Sequence, residues 1–77
     1  MVKALHATRY KRLCSLLRAR RREAQLTQDE VAGRLGKPQS FVSKYEKGER
    51  RVDLVEFLDI ADAIGFKPAE FLRALRR

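Results

Sequence analysis

The sequence predicts an all-α fold, a compact bundle of five helices forming one domain over residues 1–77, with residues 1–8 as a candidate disordered arm. Three observations predict it. Apolar residues recur with the 3.6-residue period of a helix. Two stretches carry the capping box that opens a helix, Thr27 with Glu30 and Asp53 with Glu56. Gly36, Gly48, Gly65, Pro38 and Pro68 fall between the periodic segments, where helices stop and start. A chain this short buries only about 60% of the surface it exposes when unfolded, so the core must be small and there is no room for a second functional domain.

The first helix is expected from about Arg9 to Ala24, with Thr8 as N-cap and Tyr10, Leu13, Leu17 and Ala24 on one stripe. Arginines fill most of its remaining surface. The second opens on the Thr27 box, buries Val31, Ala32 and Leu35, and stops at Gly36. The third begins at or beside Pro38, whose fixed φ and missing N–H suit a first helical position, and ends at Gly48. Asp53 and Glu56 open the fourth, whose expected core stripe is Leu54, Phe57, Leu58, Ala61 and Ile64, with Val55 off the stripe and Gly65 as the stop. A last helix from Pro68 to about Arg76 offers Phe71, Leu72 and Leu75.

Charge narrows the function classes. Eighteen Lys and Arg against ten Asp and Glu give +8, and the excess is uneven: residues 1–25 carry eight positive charges and one negative, residues 53–77 four and five. Such a lopsided balance points to a polyanionic partner, nucleic acid first and an anionic membrane surface second. No apolar run approaches the roughly 20 residues of a membrane span, and "MVKALHATRYKRL" lacks the long apolar stretch of a signal peptide. One cysteine, Cys14, permits no disulfide within the chain, so a reducing, cytoplasmic setting fits. His6 stands alone, and neither a metal site nor a cofactor is expected. Without a nucleophile elbow, phosphate loop or base dyad, catalysis finds no support either.

The third helix poses the functional question. At 100° per residue Phe41, Val42 and Tyr45 share one side, while Gln39, Ser40, Ser43, Lys44 and Lys47 fill the other with no apolar residue among them. Two short helices joined by a three- or four-residue turn containing glycine, set among three others, form a helix-turn-helix pattern. With "LTQDEVAGRLGKPQSFVSKYEKGER" followed by "LVEFLDIADAIG", the chain resembles the phage-repressor (lambda-repressor-like, Cro-type) family of helix-turn-helix transcriptional regulators from about Leu13 to Leu75. The resemblance implies a five-helix bundle whose third helix lies in the major groove of double-stranded DNA. Gln25 stands where the family often has glycine, so the first helix must end without the residue that takes positive φ most cheaply. Arg20 stands where an apolar residue is usual, its stem able to cover the core while its head reaches water. Pro38 replaces the usual Ser or Thr cap of the third helix.

That resemblance implies roles. Gln39, Ser40, Ser43 and Lys44 are the expected base-contacting residues, Gln39 because a glutamine amide matches adenine N6 and N7. Gln28, at the positive end of the second helix, is expected to contact phosphate and to brace Gln39. Lys47, Arg50 and Arg51 read as further phosphate contacts. Arg21 and Glu46 occupy the family's structural salt bridge between helices one and three. For Arg18, Arg20 and Arg22 the backbone is one reading and solvent the simpler one.

One short helix reads few base pairs, so a homodimer on a near-palindromic operator is expected, acting as a repressor. Val55, Phe66, Phe71 and Leu72 are the candidate dimer residues; for Tyr45, Phe57, Phe66 and Phe71 core packing is a plainer reading than base stacking. An antitoxin or other module binding a protein partner, a restriction-modification controller, and a basic amphipathic segment on a membrane are the alternatives.

Overall fold

The computed structural model describes the backbone of residues 2–77 and the side chains from residue 8 onward. Five helices follow one another: α1 (Val2–Glu23), α2 (Gln28–Leu35), α3 (Gln39–Glu46), α4 (Leu54–Ile64) and α5 (Pro68–Arg76). The described backbone is all-α, as the periodicity predicts. The arm expected at residues 1–8 involves Met1 and side chains outside the described ones, as does His6. Thr8 does not cap α1, because the helix starts at Val2 and Thr8 stands inside it.

Local chemistry sets the other ends. Both capping boxes form: the Thr27 hydroxyl accepts from the Glu30 amide at 3.0 Å while Glu30 Oε1 accepts from Thr27 N at 2.8 Å. Asp53 and Glu56 make the same reciprocal pair at 2.7 and 3.1 Å. Between α1 and α2, Gln25 itself takes the left-handed conformation with φ of 60°. Its amide bonds Arg22 O and that of Leu26 bonds Arg21 O, closing the helix as a glycine there would.

The core joins every helix. Leu17 and Cys14 come from α1, Val31 and Ala32 from α2, Phe41, Val42 and Tyr45 from α3, Phe57, Ile60, Ala61 and Ile64 from α4, and Phe71 from α5. Phe57, Phe66 and Phe71 pack as three rings with centroids 5.0 to 5.9 Å apart. Arg20 lies over the Phe71 ring, its stem half-buried as a snorkelling side chain should be.

Two expected stripes shift. Ala24 is exposed, since α1 stops one residue before it. On α4 Leu54 and Leu58 are 69% and 44% exposed, while Ile60 is fully buried. The buried face spans Ile60, Ile64, Phe57 and Ala61, about 100° of arc whose centre lies some 50° from the one predicted. Docking against the aromatic cluster turns the helix that way. Phe71, a candidate for a subunit surface, is wholly buried in the core and Phe66 is half-buried, so of the four dimer candidates only Val55 and Leu72 are exposed.

Candidate nucleic-acid interface

The α2–α3 corner is built from Gly36, Lys37 and Pro38. Gly36 ends α2 in the left-handed conformation at φ 66°, and the Lys37 amide bonds back to Ala32 O at 3.0 Å. A side chain there would strain the backbone. Pro38 follows in extended conformation as the N-cap of α3, one position before the first helical place expected for it. It offers no side-chain cap, so α3 starts at Gln39 with its leading amides free of side-chain partners.

The polar side of α3 faces outward. Gln39, Ser40, Lys44 and Lys47 are exposed and Ser43 is half-buried, opposite the buried Phe41, Val42 and Tyr45. Phe41 and Tyr45, one turn apart on the buried side of α3, meet edge to face at 5.4 Å.

A chain of hydrogen bonds ties three helices behind that face. Arg21 of α1 donates from Nε to Glu46 Oε2 at 2.6 Å and from Nη2 to Glu46 Oε1 at 3.0 Å. Gln28 Nε2 of α2 donates to Glu46 Oε1 at 3.0 Å, and Gln39 Nε2 of α3 donates to Gln28 Oε1 at 2.6 Å. Glu46 is 3% exposed and Arg21 12%, so the pair is nearly dry and fully bonded. Its hydrogen bond to Glu46 holds the Arg21 guanidinium still more firmly protonated. Arg21 Nη1 also donates to Leu26 O at 2.9 Å, fastening the α1–α2 loop.

Past α3, the cations divide. Lys47 is exposed at the end of the helix. Arg51 is exposed as well and stacks on Tyr10, its guanidinium carbon 4.2 Å from the ring centre. Arg50 is paired: both arms donate to Glu56 at 2.9 Å, and the guanidinium lies 4.6 Å from the Phe41 ring. With Nη1 also donating to Arg51 O, these bonds hold Arg50 against α4 and leave its Nε and one Nη2 N–H free on a side chain that is 40% exposed. Beneath it, the Tyr10 hydroxyl donates to Arg50 O and accepts from the Val52 amide, pinning the α3–α4 loop to α1. Burial raises the Tyr10 and Cys14 pKa values above their ordinary ones, keeping both groups protonated.

Several contacts escaped sequence reasoning. Arg12 donates to Ala74 O and Arg77 O, capping α5 from α1, and Arg34 donates to Ala63 O at the end of α4. Neither residue carries a local signal of such reach.

A glycine-cornered helix pair, its second helix polar outside and locked to the scaffold inside, defines a helix-turn-helix protein. Comparison agrees: the chain belongs to the helix-turn-helix domain family, whose profile matches residues 12–75. It is 36% identical over 52 residues, 68% of each chain, to an uncharacterized HTH-type transcriptional regulator, y4dJ, of Sinorhizobium fredii. Among solved structures it is similar to an XRE-family like protein from Pseudomonas syringae pv. tomato. The match covers 97% of this chain and 92% of that one, with a TM-score of 0.93 and 48% identity. No helix among the described residues is long and apolar enough to cross a membrane.

Proposed function

We propose that this chain is a sequence-specific, double-stranded-DNA-binding transcriptional regulator of the phage-repressor type, working in the cytoplasm as a homodimer that represses from a near-palindromic operator. The observation that carries the reading is the α3 face, polar from Gln39 to Lys47 and braced from behind by Gln28. In the groove Gln39, Ser40, Ser43 and Lys44 meet base edges, while Lys47, Arg50, Arg51 and Gln28 hold phosphates, Arg50 through the N–H groups that Glu56 leaves free. The helix-turn-helix family and the regulators it resembles support DNA as the partner. Exposed Val55 and Leu72, with Leu54 and Leu58, supply apolar surface for the second copy.

Selection of random duplexes by the purified protein tests this. Enrichment of an inverted repeat with half-site centres about 34–36 Å apart is the expected outcome. Salt-sensitive binding that enriches nothing would overturn sequence reading and leave phosphate contact alone, as for an anchor whose specificity comes from a protein partner such as a toxin.

A further inference from the structure

Beside the Glu46 end of α3 runs a shallow groove walled by Ser15, Arg18, Ala19 and Arg22 of α1, with Glu46 on its far side. Ser15, Arg18 and Arg22 are exposed. The arginines of this stretch divide by direction. Arg20 pairs with Glu23 and Arg21 with Glu46, whereas among the described residues no carboxylate pairs with Arg18 or Arg22. The two left unpaired are the two that line the groove. Standing four residues apart, they put like charges side by side on one helix face, which disfavours the helix unless an anion lies between them. Lys11, also exposed, extends that face by a further turn.

The groove's acidic residue does not cancel this charge. Glu46 already accepts from both Arg21 nitrogens and from Gln28, and its side chain is 3% exposed. Glu46 also fixes where the groove lies: seven residues beyond Gln39, it stands about 20° around α3 from it. The groove therefore adjoins the edge of the polar face.

The geometry points to this groove as a phosphate site that engages the DNA backbone beside the recognition helix, Arg18 and Arg22 supplying forked donors and Ser15 a hydroxyl. The inference rests on the proposed DNA-reading function.

The test compares Arg18→Gln/Arg22→Gln with a net-charge control, Arg73→Gln/Arg76→Gln on α5, following affinity against salt on the selected duplex and a scrambled one. Glutamine forms helix nearly as well as arginine, and thermal melting checks that the fold is kept. The groove pair should flatten the salt slope by about two on both duplexes, about one for each single variant, and leave the preferred sequence unchanged. The control pair should change it far less. An unchanged slope in the groove pair, or an equal change in the control, overturns the site while leaving the DNA-reading function standing. Failure of the wild type to bind any duplex overturns both. Loss of binding to phosphatidylserine vesicles with duplex affinity intact would assign these arginines to a membrane and overturn the DNA assignment.

Discussion

Gln39 donates from Nε2 to Gln28 Oε1 at 2.6 Å, and Gln28 donates in turn to the nearly buried Glu46. The bond leaves Gln39 with a free Oε1 and one free N–H, the acceptor and donor that adenine N6 and N7 require. Gln28 thus selects which edge of the Gln39 amide is left free for the proposed base contact. Gln39→Ala is expected to cost about 1 to 3 kcal/mol at the preferred site and relax one base position. Gln28→Ala should lose part of the same energy, so the double variant falls short of the sum by about 0.5 kcal/mol or more. Additive losses in a duplex-binding cycle would show that the two amides act independently. Lys47→Ala, by contrast, should weaken all sequences alike and lower the salt slope by about one.

Gln25 holds φ of 60° without being glycine. Its Cβ crowds the following carbonyl, a cost that glycine avoids while giving up some order in the unfolded chain. Gln25→Gly is therefore expected to stabilise the protein by about 0.5 to 1 kcal/mol, read as a higher urea midpoint at unchanged slope. A lower midpoint would mean that the Gln25 side chain makes contacts worth more than the strain.

Much of this architecture was legible because it is local. The Thr27 and Asp53 boxes, Gly36 and Gly65 act within four residues, and each fixed a helix end where the sequence put it. The polar and apolar sides of α3 were equally plain, since eight residues cannot hide their period. What the sequence withheld depends on neighbours. Leu54 and Leu58 are as hydrophobic as Ile60, and only the docking of α4 on Phe66 and Phe71 decides which of them is buried. Arg50 reads as a free cation until the chain turns and brings Glu56 and Phe41 to it. Arg12 meets carbonyls more than sixty residues away.

The Arg50–Glu56 pair predicts an acid response. Hydrogen bonding to Arg50 first, and to the Asp53 amide second, holds the Glu56 carboxyl below its ordinary range. Such a group contributes stability above its unfolded pKa, about 4.3, and that contribution is lost as pH falls through the lower folded value. Glu56→Gln removes the charge but keeps a side chain able to complete the capping box. The variant should be less stable than wild type at neutral pH and lose less on acidification, its urea midpoints approaching those of the wild type near pH 3. Parallel curves would show that the carboxylate charge contributes nothing through Arg50.

Tyr45 supplies the sharpest test of the core. It is wholly buried, and its hydroxyl is hydrogen-bonded to no group among the described residues. An unsatisfied buried hydroxyl costs about 1 to 3 kcal/mol of desolvation, while the ring's packing against Phe41 does not need it. Tyr45→Phe is expected to raise stability by about 1 kcal/mol, or the melting temperature by about 4 to 8 °C. Desolvation, and then the nearby Glu46 charge, holds this phenol well above its ordinary pKa. A raised folded value means that stability is intact below the unfolded pKa of about 10 and declines as pH climbs above it, because the unfolded chain releases the proton first. The advantage of Phe should therefore widen between pH 7 and pH 11 in paired thermal melts. A variant less stable than wild type at pH 7 would place a hydrogen-bond partner on that hydroxyl and remove the basis of the prediction.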